Sequence, residues 1–219
     1  MSNEEKILEN LKNMMINIEI DKVEEEVKRA LDSGIAPLDI IEKALAPAMT
    51  VIGDKFEKGE YFLAELVAAG ETFKEILQIL KPLLVKSGQT TKTLGKVVIG
   101  TVRGDLHDIG KNIVATMLES AGFEIYDLGV DVAPEDFVKK AEEINADIIA
   151  MSALLTTTMI EMKNVIEELK KSGIRDKVKV IIGGAPITEE YAKEIGADGY
   201  AEDAVKAVRV CKELLGIKD

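Results

Sequence analysis

Asp105 and His107 stand two residues apart in the segment Arg103-Gly-Asp-Leu-His-Asp-Ile-Gly110, and His107 is the single histidine of the 219-residue chain. At that spacing in a loop, a carboxylate accepts a hydrogen bond from the imidazole Nδ1–H and leaves Nε2 for a metal. Gly104 and Gly110 frame the segment, one relaxing the turn and the other letting backbone or a large planar ligand approach closely. Downstream, Ser152, Thr156, Thr157 and Thr158 supply four hydroxyls in a short stretch. One can orient Asp105 while others hydrogen-bond the nitrogens or amides of a ligand. Helix capping ahead of Met159 accounts for one of them at most. Gly183-Gly184 permits close approach of a ligand tail, and an ordinary strand-to-helix turn is the competing explanation. A lone Asp-x-His is a weak signal, because most single histidines are structural or solvated.

These residues need elements to hold them. From Lys96 onward, short β-branched runs alternate with helical stretches, which predicts right-handed βαβ crossovers and a parallel sheet. Strands are expected at Lys96–Thr101, Glu124–Leu128, Asp147–Ser152, Lys179–Gly183 and Gly199–Ala201. Helices are expected near 110–121, 134–145, 159–172, 188–195 and 203–215. In a flavodoxin-like (Rossmann-like) order 2-1-3-4-5, ligands bind where strand order reverses, between the first and third strands. The loops after those strands are the Asp105–His107 segment and the Ser152–Thr158 segment, so topology and composition select one place.

The first 86 residues lack strand signals and read as a four-helix bundle, with helices over Asn3–Ile16, Ile20–Asp32, Pro37–Lys58 and Tyr61–Lys86. Pro47 is expected to kink or interrupt the third, since it has no N–H to donate. In the fourth, Leu63, Leu66, Gly70, Phe73, Leu77 and Leu80 form a packing seam. Residues 87–95 are polar and rich in Ser, Thr and Gly, the composition of a linker. The expected architecture is α plus α/β, with a helical domain over 1–86 and a five-stranded sheet domain over 96–219.

Composition narrows the function. A net charge of −12 and a pI near 4.8 argue against a nucleic-acid partner, which wants clustered Lys and Arg. No apolar run reaches the length of a membrane span and no signal-peptide pattern opens the chain, so a cytoplasmic protein is expected. With one cysteine, Cys211, and one histidine, a zinc cage is excluded, so any metal arrives largely pre-coordinated or on carboxylates. The loop after the first strand lacks both phosphate-cradling glycine fingerprints, which disfavours a nucleotide or flavin site.

Taken in order, the elements are Asp105-x-His107-x-x-Gly110, then 41 residues, Ser152-x-Leu154, then 28 residues, and Gly183-Gly184. This combination resembles the cobalamin-binding signature shared by methionine synthase, coenzyme B12 mutases and corrinoid methyl carriers. The helical half, notably Val51-Ile-Gly-Asp-Lys-Phe-Glu-Lys-Gly-Glu-Tyr-Phe-Leu63, resembles the cap domain of the first and third groups. Ala64 stands where that family often has proline.

The resemblance implies a cobalamin or related corrinoid whose nucleotide tail leaves cobalt for a channel in the α/β domain. His107 then serves as lower cobalt ligand, with Asp105 hydrogen-bonded behind it and Thr158 as third member. Ser152, Thr156, Gly183 and Gly184 are expected along the tail channel, with Asp108, Gly110 and Leu154 also at the cofactor. Phe62 and Leu63 are expected over its upper, methyl-bearing face.

The implied role is a non-catalytic carrier. It takes a methyl group from a substrate:corrinoid methyltransferase, with methylamine favoured on overall likeness, and passes it to a corrinoid:acceptor methyltransferase, with a reductive activator in support. No donor, acceptor or reactivation domain fits in this length. A mutase small subunit is disfavoured because it needs no helical cap. A cobalamin-sensing regulator is disfavoured because no basic DNA-binding element precedes the linker.

Overall fold

Val97, Val98 and Ile99 are buried on both sides of their strand, as a central strand between two helical layers requires. That strand, β1 (Lys96–Thr101), is followed by β2 (Glu124–Asp127), β3 (Ile148–Ser152), β4 (Lys179–Gly183) and β5 (Gly199–Tyr200). All pairings are parallel, in the order β2-β1-β3-β4-β5. The register sets Thr101 beside Ser152 and Ser152 beside Gly183, so the ends of β1, β3 and β4 are level. This computed structural model describes residues 3–87 and 93–217, and most of the expected linker, at 88–92, lies outside the described residues.

The helices of this unit are α6 (Ile109–Ser120), α7 (Pro134–Ile144), α8 (Ile160–Ser172), α9 (Glu189–Ile195) and α10 (Ala204–Leu214). Side-chain capping sets the starts of the last two. Thr188 accepts the Tyr191 N–H at 3.2 Å and Asp203 accepts the Lys206 N–H at 2.8 Å. Each therefore caps its helix and stands one residue before it, where the sequence suggests a first helical residue. Phe137, Met162, Val165 and Ile166 pack with Val98, Ile149 and Val180 in a continuous core.

The helical unit comprises α1 (Asn3–Ile16), α2 (Ile20–Asp32), α3 (Pro37–Ile40), a π-helical turn (Ile41–Leu45), α4 (Ala46–Glu57) and α5 (Leu63–Ser87). The expected helix over Pro37–Lys58 is continuous in backbone conformation but changes register, with the π-helical turn between α3 and α4. Pro47 removes one backbone donor, and the chain absorbs the loss by widening the preceding turn to a π register. The last helix starts at Leu63 rather than Tyr61, because the Phe62 N–H is taken by the Glu65 carboxylate at 2.9 Å. Leu66, Gly70, Phe73, Leu77 and Leu80 of the expected seam are buried. Leu63 is not: as the first residue of α5 it is exposed, as is Phe62 beside it. No helix among the described residues is long and apolar enough to cross a membrane.

Candidate functional site

The loop between β1 and α6 begins with a turn in which the Asp105 N–H donates to the Val102 carbonyl at 3.1 Å. Gly104 occupies this turn at φ 80°, a left-handed conformation that glycine adopts without steric cost. The turn drives the Asp105 side chain inward until it has 0% exposure, while the His107 side chain remains 52% exposed. A carboxylate buried in this way needs donors, and it has four. Its Oδ1 accepts the His107 ring Nδ1 at 2.7 Å and the His107 backbone N–H at 3.1 Å. Its Oδ2 accepts the Thr158 hydroxyl at 2.6 Å and the Leu154 N–H at 2.8 Å.

Burial on its own pushes the Asp105 carboxyl up. The donors, led by the Thr158 hydroxyl and followed by Leu154 and His107, outweigh burial and hold it well below the usual carboxylate range. An ionised Asp105 is acceptor-only, so Nδ1 carries a hydrogen, and the lone pair of the neutral imidazole is the one on Nε2. Nε2 has no hydrogen-bond partner among the described residues. The backbone under the ring is fixed as well, because the Thr101 hydroxyl, at the buried end of β1, donates to the His107 carbonyl at 3.0 Å.

Among the four hydroxyls after β3, Thr158 is the one that reaches Asp105. Neither it nor its neighbours cap α8, whose N-cap position, Met159, makes no side-chain cap hydrogen bond. Ser152 is half-buried at the end of β3, and Thr156 is exposed. Leu154 contributes through its backbone, which no side-chain pattern announces, and its side chain is exposed. Asp108 leads into α6, its carbonyl accepting the Asn112 N–H at 2.8 Å and its carboxylate the Asn112 amide at 3.2 Å.

The glycines divide into two kinds. A Cβ on Gly183 would stand 2.7 Å from the Ala201 carbonyl oxygen, and one on Gly184, at φ 129°, would stand 1.9 Å from that of Ala153. These two are required by the chain's own backbone packing. A Cβ on Gly110 would meet nothing within 4 Å, so the room there is not used by the protein itself.

The surroundings of His107 fit a large, flat, largely apolar group. Leu106 is 71% exposed and Ile109 is 73% exposed on either side of it, an arrangement that costs hydrophobic free energy unless something covers it. Leu154 and Leu155, from the loop after β3, are exposed as well. No group of three or more His, Cys, Asp or Glu side chains poised to hold a metal occurs among the described residues, so His107 offers one nitrogen donor. That donor set suits a metal whose remaining positions are filled by a macrocycle. Phe62 and Leu63 belong to the helical unit, and both side chains are exposed.

The parallel doubly wound sheet carries this histidine loop at its switch point, the place where such sheets bind ligands. The B12 binding domain family matches residues 95–209, and a second B12 binding domain family matches residues 7–81. The chain belongs to the corrinoid proteins of this B12-binding group, and its cofactor is a corrinoid. It is 48% identical over 215 residues to the dimethylamine corrinoid protein of Methanosarcina barkeri, covering 98% of this chain and 100% of that one. It is 45% identical over 212 residues to trimethylamine corrinoid protein 2 of Methanosarcina acetivorans, covering 97% and 98%. Among solved structures, the methanol:cobalamin methyltransferase complex of Methanosarcina barkeri contains a chain that superposes with a TM-score of 0.84 at 30% identity, covering 96% of this chain and 80% of that one. A cobalamin-binding protein of Desulfitobacterium hafniense superposes with a TM-score of 0.76 at 36% identity, covering 94% and 98%.

Proposed function

We propose that this corrinoid protein is a methyl carrier of a methylamine-dependent methyltransferase system, working between a methylamine:corrinoid methyltransferase and a corrinoid:acceptor methyltransferase, with a reductive activator to rescue oxidised cofactor. The observation that carries the site is the buried Asp105 carboxylate, which ties up His107 Nδ1 and leaves Nε2 as a lone-pair donor. The choice of methylamine rests on relatives that span nearly the whole chain and are named for dimethylamine and trimethylamine.

A bound corrinoid supplies a nucleophilic cobalt that takes up a methyl group and yields it to an acceptor. The chain's own residues bind and tune. His107 Nε2 would hold the cobalt, and Asp105 would set its basicity by holding the Nδ1 hydrogen. Leu106, Ile109 and the open side of Gly110 would pack against the corrin. Ser152, Thr156, Gly183 and Gly184 would border the nucleotide tail, Asp108 and Leu154 would line the cofactor, and Phe62 and Leu63 of the helical unit would shield it.

The test is reconstitution with hydroxocobalamin, reduction to cobalt(II), and electron paramagnetic resonance of protein carrying 15N-histidine. Ligation by His107 changes the nitrogen splitting from a triplet to a doublet, and His107→Gly removes it. A splitting that ignores the label sinks the ligand assignment. Methyl transfer assayed with mono-, di- and trimethylamine and their methyltransferases then tests the carrier role, and failure with all three sinks the methylamine assignment.

A further inference from the structure

The segment that leaves β2 contains two residues in left-handed backbone, Gly129 at φ 83° and Asp131 at φ 54°. Glycine adopts this conformation freely, whereas a residue with a Cβ does so at a cost, least for Asn and Asp. Asp131 is exposed and adds nothing to the core, so packing does not account for it. What it touches is the loop that carries His107. The Gly104 N–H donates to Asp131 Oδ1 at 2.6 Å, and the Asp131 N–H donates to the Asp105 carbonyl at 3.0 Å. One residue therefore grips two consecutive residues of the turn that aims Asp105 inward, one by its N–H and the other by its carbonyl.

The grip is braced from behind. Gly129 donates its N–H to Asp127 Oδ1 at 2.8 Å, and its carbonyl accepts the Thr101 N–H at 2.9 Å. The other oxygen of Asp127 pairs with the buried Lys111 of α6. Thr101, in turn, holds the His107 carbonyl through its hydroxyl at 3.0 Å. The chain leaving β2 is thus linked to both ends of the His107 loop, and Asp131 is the member that fixes the Asp105 turn directly.

We infer that Asp131 is a positioning residue for the cobalt ligand: by clamping Gly104 and Asp105 it holds the Asp105 carboxylate where it selects the Nδ1–H tautomer of His107. This rests on the reading of His107 as lower ligand. Asp131 acts through Asp105, and its contribution is to keep the imidazole in one tautomer and one orientation before the cofactor arrives. Supporting contacts of this kind change metal affinity about 10- to 100-fold when removed.

The single histidine makes the test direct, since 15N-histidine labelling gives one imidazole in the spectrum. Asp131→Gly keeps the left-handed turn and removes the acceptor. Asp131→Asn keeps both the acceptor and tolerance of that backbone. Asp131→Ser, whose oxygen falls short of Gly104, replaces the glycine variant if that turn loosens beyond folding. In the apoprotein, nitrogen chemical shifts are expected to show Nδ1–H in the wild type and Asp131→Asn, and a mixture of tautomers in Asp131→Gly. After reconstitution, hydroxocobalamin affinity is expected to fall about tenfold in Asp131→Gly, with a smaller fraction of the cobalt(II) showing histidine splitting, and both are expected to return in Asp131→Asn. A wild-type imidazole spectrum in Asp131→Gly, or an equal loss in Asp131→Asn, overturns the clamp. Should the wild type lack histidine splitting while Asp131→Gly still shifts the apoprotein signals, it is the ligand assignment that falls, and the clamp on the imidazole stands.

Discussion

The Thr158 hydroxyl donates to Asp105 Oδ2 at 2.6 Å across 53 positions of sequence, and both side chains are buried. The same hydroxyl lies 3.1 Å from the Leu155 carbonyl, but it has one hydrogen and the charged acceptor is nearer. Hydrogen bonds to charged groups contribute about 1.5–3 kcal/mol. Thr158→Val, which preserves shape and deletes the donor, is expected to destabilise the apoprotein by about that amount. Thr158→Ser is expected to cost less than ~1 kcal/mol, since it keeps the bond and loses a methyl. Urea unfolding of the two variants compares them, and equal losses would assign Thr158 to packing alone.

A carboxyl held below its ordinary value stabilises the fold most when it is ionised. The Asp105 contribution is therefore complete above the usual aspartate value of 3.8 and is lost as pH falls below that, through the lower folded value. Asp105→Asn is expected to be less stable than the wild type near neutrality. The difference narrows as the medium is acidified from about pH 5 to pH 2. Denaturation midpoints measured across that range check the sign. A gap that stays constant, or widens in acid, would show that Asp105 is not the anionic acceptor described.

Cys211 is fully buried in α10, and burial pushes its thiol up to about 12. It is expected to resist a disulfide reagent at pH 8 in the native protein and to react with one equivalent after unfolding. Rapid native labelling would show that α10 opens locally.

The central strands are legible in the sequence because burial on both faces demands unbroken apolar, β-branched runs, and Val97–Ile99 and Ile148–Ile149 supply them. The π-helical turn before Pro47 is not, because a missing N–H states that a bond is lost and not how the chain re-forms its neighbours. At the site, Asp105 and His107 are legible because their chemistry is local. From the residues themselves Thr158 is one hydroxyl among four, since its reach to Asp105 is set by how β1 and β3 align, and it is the family resemblance that singles it out. Thr101 reads as one more β-branched strand residue, and the Leu154 donor belongs to the backbone. Asp131 leaves no pattern at all, because a left-handed aspartate in a loop repeats nothing and buries nothing.

Two glycines separate what the fold needs from what the cofactor needs. Gly184 has φ 129° and would drive a Cβ to 1.9 Å from the Ala153 carbonyl oxygen, so Gly184→Ala combines backbone strain with a clash against main chain that has little freedom to retreat. It is expected to cost more than ~3 kcal/mol or to prevent folding. Gly110 is the second residue of α6, carries no positive φ and faces open space, so alanine there relieves a glycine in a helix at no steric cost. Gly110→Ala is expected to raise apoprotein stability by about 0.5 kcal/mol, since the first turn realises only part of the propensity difference of about 1 kcal/mol. The same methyl group stands where the proposed cofactor approaches the backbone, and hydroxocobalamin affinity is expected to fall at least tenfold. Thermal unfolding of the apoprotein and a visible-absorbance titration measure the two effects on one sample. Gain of stability with loss of binding is the signature of a glycine kept for a ligand. Gain of stability with unchanged binding would return Gly110 to the ordinary residues of the helix.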